Sequence, residues 1–500
     1  MAVASDSVNA TPPPSPSPHF VMVPFAAQGH TIPMVDLALL LAGRGARTSL
    51  VTTPLNAARL HGVADLVRMP VEIVEIPFPA PAVDGGLPPG CESVDQIKDL
   101  SQIFPFLGAL RELAGPLDAY LRELAARPSC VISDSFNPWP AGVARRVGVP
   151  QLFFQSSSCF YSLCDLSAAT HGMQQQQADG ERYAVLGMPI RVEVTRATQP
   201  DFFDEAWWET VRKETMDATR NADGVVVNTF MDIADEFVAC YEAALGKPVW
   251  TLGPFCLCNR DADAMASRGN RHDVAQSAVT AWLDAMDTDS VVYVNFGSLV
   301  RKVPRRGLVV RCWAPQLAIL SHRAVGGFVT HGGWNSMLAA VTHGVPVVTW
   351  PHFADQFLNE RTVVKMVSNE AVPVTRADVI QAVLALMDGG EVGEERRKKA
   401  KEYGEKARGA MEKGGSSSAS VGAQRSEPAG DSGDHELEPG WQRCERELSP
   451  ATERTGRQTA QPADEAASKF KPKLQHDEHK HELVPVAKLT GGGRRRPTGE

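Results

Sequence analysis

Two places in this chain of 500 residues carry side chains suited to chemistry. The first is the block from Trp313 to Gln356, WAPQLAILSHRAVGGFVTHGGWNSMLAAVTHGVPVVTWPHFADQ. Phe328-Val329-Thr330 is a short apolar, β-branched run. His331-Gly332-Gly333 is a turn in which two residues lack Cβ, so a ligand can approach the backbone closely. Asn335 and Ser336 open a helical run from Met337 to His343, and a helix N-terminus behind glycines suits phosphate. Gly344-Val345-Pro346 ends that helix, and Val347 to Trp350 is the next strand. Asp355-Gln356 follows at the carboxyl edge, where open α/β sheets bind ligands. The second place is His30, in the turn Ala26 to His30 after an opening strand. Imidazole there can take a proton from a hydroxyl near neutral pH, although an exposed turn histidine with no role would look the same. Asp134 follows the strand Cys130 to Ser133 at the same edge, and by itself could equally cap the next helix.

The elements that must position these residues alternate in type. FVMVPF, Phe20 to Phe25, reads as a buried strand. Pro33 suits a helix's first turn, Met34 to Ala42 carries that helix, and Ser49 to Thr52 makes the next strand. This is a βαβ opening of a doubly wound sheet. Helical runs over Phe106 to Ala126 and Ala141 to Val147 flank the strand ending at Ser133, and strands Gln151 to Phe154, Val225 to Asn228 and Pro248 to Thr251 follow. A second half begins with helix Val279 to Met286 and strand Ser290 to Phe296. Ala377 to Met387 and a charged run from Glu394 to Lys413 read as its closing helices. The expected domains are 19–252 and 272–413, joined by a linker over 253–271. Met1 to Pro18 is Ser/Pro-rich, and 414–500 is rich in Ser, Gly, Glu, Arg and Gln, so 1–18 and 414–500 are expected to be disordered.

Composition narrows the class. A hydrophobic content of 43% is that of a globular protein, and a net charge of -9 favours neither nucleic acid nor an anionic membrane as partner. No apolar run is long enough to span a bilayer, and the N-terminus has no secretion signal. Nine cysteines without regular spacing fit reduced thiols in a cytoplasmic protein. A Walker A sequence and a G-x-G-x-x-G fingerprint are both absent, which leaves kinase and dehydrogenase readings unsupported.

The block Trp313 to Gln356 resembles the donor-binding signature of plant family-one UDP-glycosyltransferases: W-x-P-Q, H-x-G-W-N-S, G-V-P and D-Q in order. The resemblance covers roughly Phe20 to Lys413. It implies the GT-B arrangement, two facing Rossmann-like domains, with the acceptor bound by the first and the UDP-sugar by the second. Trp313 would then stack on uracil, beside Ala314, and Gln316 would bond the uracil edge. His331, Asn335, Ser336 and Ser298 would hold the diphosphate, and Trp334, Asp355 and Gln356 the sugar hydroxyls. His30 would be the general base and Asp134 the carboxylate that orients it. The implied reaction moves a sugar, glucose by expectation, from UDP-glucose to a hydroxyl of a small phenolic or terpenoid acceptor with inversion. It uses no metal or other cofactor, and the protein is expected to be a monomer. Asp261-Ala262-Asp263 and Asp287-Thr288-Asp289 resemble the D-x-D metal motif of the other glycosyltransferase fold, but lie in a linker and a loop. Phe153, Phe202 and Trp207 could line an apolar acceptor pocket or sit in the core.

Three departures stand out. The segment Gly297 to Arg306 is too short for the helix and strand that the family has there, and a second gap lies between Val367 and Val372. The family's short apolar C-terminal helix is missing from the expected elements. Ala339 replaces the Glu that accepts from the ribose hydroxyls, which predicts donor binding weakened about tenfold to a hundredfold. These departures favour a second reading, a catalytically defective relative that at most binds nucleotide-sugar.

Overall fold

The computed structural model describes residues 17–61, 63, 68–79, 86–97, 99–171, 182–195, 198–200, 206–269, 276–297, 308, 310, 313–352, 354–363, 376–423 and 487–488. The first domain carries strands β1 (His19–Val23), β2 (Arg47–Thr52), β3 (Val71–Glu75), β4 (Cys130–Asp134) and β5 (Gln151–Gln155). A small antiparallel hairpin, β6 (Tyr183–Val185) and β7 (Val192–Val194), precedes β8 (Gly224–Val227) and β9 (Val249–Thr251). The seven parallel strands are ordered β3-β2-β1-β4-β5-β8-β9. β1 and β4 are buried along their whole length, as apolar strands covered on both faces must be. The chain leaves β1 toward β2 on one side, while β4 lies on the other. That reversal opens a crevice at the carboxyl ends of β1 and β4.

Helix α1 (Gln28–Gly43) follows β1 and starts earlier than the sequence suggested. Ala27 is extended and acts as its N-cap, so His30 lies in the first helical turn and Pro33 inside the helix. Helix α2 (Cys159–His171) follows β5, and the linker contains a single 3₁₀ turn and helix α3 (Ala262–Ser267).

The second domain is a parallel sheet of β10 (Val291–Asn295), β11 (Val325–Thr330), β12 (Val347–Thr349) and β13 (Ala487–Lys488), in that order. Its helices include α4 (Trp334–His343), α5 (Gln356–Val363), α6 (Arg376–Leu386), α7 (Glu391–Met411) and α8 (Ser416–Ala423). β11 is buried throughout, but β10 is only partly covered, with Val294 43% exposed. In the first domain β2 and β3 stand beyond β1. Beside β10, among the described residues, no strand stands in the equivalent place, so β10 is an edge strand. This is the structural form of the shortening expected near residue 300.

The disordered tail expected over 414–500 does not hold for its first ten residues. Ser416–Ala423 is helical, and it returns to the first domain. The Ser417 hydroxyl, fully buried, donates to the Gly253 carbonyl at 2.6 Å, and Arg44 at the end of α1 donates to Ser418 Oγ at 2.9 Å. Small hydroxyl side chains allow this: they satisfy buried carbonyls at close approach, although their composition resembles a solvated linker. Ala487–Lys488 likewise pairs in parallel with Val348 and Thr349 of β12. The rest of 424–500 lies outside the described residues, as do 1–16 and the second expected gap.

Candidate functional site

The base candidate is assembled across the β1/β4 crevice. β4 carries Asp134 to its carboxyl end, where it is fully buried, and α1 brings His30 over it. His30 Nδ1 lies 2.9 Å from Asp134 Oδ2 and 3.0 Å from Oδ1. The second carboxylate need is met locally, since the Phe136 backbone N–H donates to Asp134 Oδ1 at 2.9 Å. The imidazole edge meets Phe25 and Phe136, with ring centroids 5.2 and 5.0 Å away. With Nδ1 facing the carboxylate, Nε2 is the nitrogen left to face a substrate. The side chain is 18% exposed, which suits a group that must be both held and reachable.

A serine run that the sequence reading did not single out completes this side. Ser156 Oγ lies 3.1 Å from His30 Nδ1. Ser157 hydrogen-bonds Asp355, and Ser158 Oγ donates to Asn359 Oδ1 at 2.8 Å while accepting the Tyr161 N–H as it opens α2. Asn359 Nδ2 in turn donates to Asp355 Oδ2 at 2.7 Å. Burial pushes the Asp355 carboxyl up, and the bonds from Asn359 and Ser157, together with nearby His30, oppose that rise. The signal was available: these serines directly follow β5, at the same sheet edge as His30 and Asp134.

Asn335 joins the two domains. Its Nδ2 donates to the Gly29 carbonyl at 2.6 Å, and its Oδ1 accepts from Asn228 Nδ2 at 3.1 Å. The Gly29 carbonyl is available for a physical reason. In α1 it would accept from the residue four positions on, which is Pro33 and has no N–H. Trp334 beside it turns inward. Its indole is buried in the core and donates to the Asn228 carbonyl at 2.7 Å, so only its backbone could meet a sugar hydroxyl.

The remaining motif residues form the far end of the cleft. Gln316 Oε1 accepts from Asn295 at 2.9 Å, and its Nε2 donates to buried Ser336 at 3.3 Å. Trp313 Nε1 donates to the Arg268 carbonyl at 3.3 Å, with Ala314 partly buried behind it. The backbone at Gly332 has φ +85, a conformation that favours glycine. The space beside Gly333 and Gly297 is taken by His331: a Cβ would stand 2.5 and 3.0 Å from its Nε2. Burial, with His352 nearby, drives the His331 imidazole down to about 4, against a bond to the Asn295 backbone. Gln356 is buried and accepts the His352 N–H at 2.8 Å. Ser298 lies outside the described residues.

Other candidates resolve differently. Ala339 is fully buried on α4, packed into the apolar core rather than lining open space. Asp261 caps α3 by accepting the Ala264 N–H at 2.8 Å and pairs with Arg68, which accounts for the first D-x-D by structure. Among the described residues no cluster of three or more His, Cys, Asp or Glu could hold a metal. Phe153 is core, Phe202 lies outside the described residues, and Trp207 packs against Phe104 and Trp208.

Comparison with known proteins bears on the family and the fold. Residues 18–257 match the family described as glycosyltransferase, N-terminal domain, and residues 305–395 match UDP-glucoronosyl and UDP-glucosyl transferase. UDP-glycosyltransferase 73E1 of Stevia rebaudiana is 36% identical over 475 residues, covering 81% of this chain and 94% of that protein. UDP-glycosyltransferase 73C6 of Arabidopsis thaliana is 34% identical over 470 residues with the same coverage. Among solved structures, Glycyrrhiza uralensis UGT73P12 with glycyrrhetinic acid 3-O-monoglucuronide superposes with a TM-score of 0.72 at 29% identity, over 82% of this chain and 95% of that one. Arabidopsis thaliana UGT89C1 with UDP-L-rhamnose gives 0.65 at 25% identity, over 82% and 98%.

Proposed function

The chain belongs to the plant UDP-glycosyltransferases, and from that premise we propose that it transfers glucose from UDP-glucose to a hydroxyl of a small lipophilic acceptor, with inversion. The observation that carries this reading is the His30–Asp134 pair, 2.9 Å apart at the crevice that Asn335 of the donor motif reaches across. His30 Nε2 takes the acceptor hydroxyl proton as its oxygen bonds to the anomeric carbon. The bond from that carbon to the β-phosphate oxygen breaks, and UDP leaves with the electron pair. Asp134 holds the imidazole by Nδ1 and stabilises the imidazolium that forms. Asp355 and Gln356 receive the sugar hydroxyls. The N-terminus of α4, with Asn335, Ser336 and His331, meets the diphosphate. The reading calls on no metal. We further propose a cytoplasmic monomer; among the described residues no helix is long and apolar enough to cross a membrane, and the described cysteines form no disulfide.

The test is purified full-length protein with UDP-glucose or UDP-L-rhamnose and a panel of phenolic and terpenoid acceptors, scored by UDP release and product mass. His30→Ala should lower turnover about 10²- to 10⁴-fold and leave UDP affinity unchanged. Undiminished turnover in that variant removes His30 from the mechanism. A second reading is favoured by Ala339 and by the shortened segment Gly297 to Arg306: a relative that binds nucleotide-sugar without turnover. Nucleotide binding with no product from any acceptor supports that reading.

A further inference from the structure

The linker contributes a buried ion pair that none of the motif residues explains. Asp36, on the inner face of α1, is 1% exposed, and Arg268, just after α3, is 13% exposed. Arg268 Nε and one terminal nitrogen both donate to Asp36 Oδ2, at 2.9 and 2.6 Å. Asn259 Nδ2 donates to the other oxygen, Oδ1, at 2.8 Å. The carboxylate is thus satisfied on both oxygens, and the guanidinium is fixed by two bonds to one atom. Removing one partner from such a pair leaves an uncompensated buried charge. The pair also borders a cavity that reaches Gln28, two residues from His30.

The same backbone meets the donor motif. The Arg268 carbonyl accepts the Trp313 indole N–H at 3.3 Å. At Gly269, φ is +97 and a Cβ would stand 2.4, 2.7 and 2.9 Å from Cζ2, Cε2 and Nε1 of Trp313, so the backbone lies close against that edge of the indole. Asp36 therefore fixes Arg268, and Arg268-Gly269 hold the Nε1 edge of Trp313 by one hydrogen bond and close backbone contact. A helix of the acceptor domain is in this way tied through the linker to an aromatic ring of the donor domain. The charge partner and the ring partner are one residue apart in sequence, so the ring cannot shift without moving the pair.

We propose that Asp36 and Arg268 are positioning residues for the donor: they set the plane and depth of Trp313 and so the affinity for the uridine end of the UDP-sugar. The inference rests on the reading of Trp313 as the ring on which uracil stacks. Neither residue touches the reacting atoms. Their loss acts on donor binding and leaves the His30 chemistry in place.

The experiment is calorimetric titration of the full chain with UDP, on the parent, Trp313→Ala, Arg268→Lys, Asp36→Asn and the double variant Arg268→Lys/Trp313→Ala. Thermal melting checks the fold of each. Arg268→Lys keeps the charge but loses the fork, so it keeps the fold while releasing the Trp313 backbone clamp. Both single positioning variants should weaken UDP about threefold to tenfold, and the double variant should be no weaker than Trp313→Ala, since the pair acts through the ring. In turnover the same variants should raise donor KM by that factor with kcat nearly unchanged. UDP affinity unaltered in Trp313→Ala overturns the stacking reading itself. UDP weakened by Trp313→Ala but untouched by Arg268→Lys and Asp36→Asn overturns the present inference alone, as does full additivity in the double variant. If Asp36→Asn melts early, Arg268→Lys together with the cycle decides the matter.

Discussion

The polar residues of the cleft are bonded to one another, and at His331 burial outweighs the bond it makes. It sits between Gly297 and Gly333, and its burial depresses it to about 4 from an ordinary 6.5. Above 6.5 both the folded and unfolded chains hold it neutral. Below that the unfolded chain binds a proton that the fold refuses, so stability falls as pH drops from 6.5 toward 4. His331→Gln should remove that contribution, on the order of 1 kcal/mol between about pH 7 and about pH 5. Urea denaturation at the two pH values measures it; an identical pH slope in parent and variant refutes it. Ala339 shows the opposite lesson. The resemblance places a ribose-binding Glu there, but the position is enclosed by apolar neighbours, and a carboxylate would first have to be buried among them. The family position is therefore not open to the ribose in this arrangement of α4.

At the scale of elements, the closing helix α8 changes what the C-terminus is for. Truncation after Lys413 removes the Ser417–Gly253 and Arg44–Ser418 bonds that pin it to the first domain. It should cost about 1–3 kcal/mol in stability. Truncation after Ala423 keeps those bonds and should cost less. Equal denaturation midpoints for the two forms would show that α8 contributes nothing. The sequence made the strands legible because continuous apolar runs such as FVMV and CVIS have one reading when both faces are covered. It misplaced the start of α1 because Pro33 suggests a first turn, whereas the helix tolerates it six residues in. It hid α8 because SSSASVGA packs by its smallness rather than by apolar bulk. The dyad was visible because sheet topology alone sends the ends of β1 and β4 to one crevice. The serines after β5 were legible by the same topology, whereas the Asp36–Arg268 pair and the inward turn of Trp334 were not, since each depends on which face of an element meets its neighbour.

For the molecule as a whole, the described residues place the first strand of the second sheet, β10, at its border, whereas β1 lies inside the first sheet. Among the described residues β10 borders its sheet, and an apolar strand at a sheet border is a template for pairing with another chain. Val294 is exposed there, and Leu308, Ile380 and Leu384 add exposed apolar surface on the same domain. Self-association should therefore rise with concentration, and Val294→Lys should suppress it without lowering the melting temperature. Light scattering behind size exclusion reads both forms. A parent that stays monomeric across the range would show that this border is protected.

Pro33 has a bearing on the contact between the two domains. Because the proline withholds a proton from the Gly29 carbonyl, the helix offers Asn335 a resting partner that imitates an anion's oxygen. An incoming diphosphate then finds its proposed ligand already occupied and has to win an exchange rather than fill a vacancy. A neutral bond of this kind is worth about 1 kcal/mol, so the occupied state lowers apparent donor affinity by about fivefold while it lasts. The same exchange lets go of the acceptor domain at the backbone next to His30. Under the proposed function, arrival of the donor would thus be felt at the base one peptide unit away, and the order in which the two substrates enter would follow from a missing N–H.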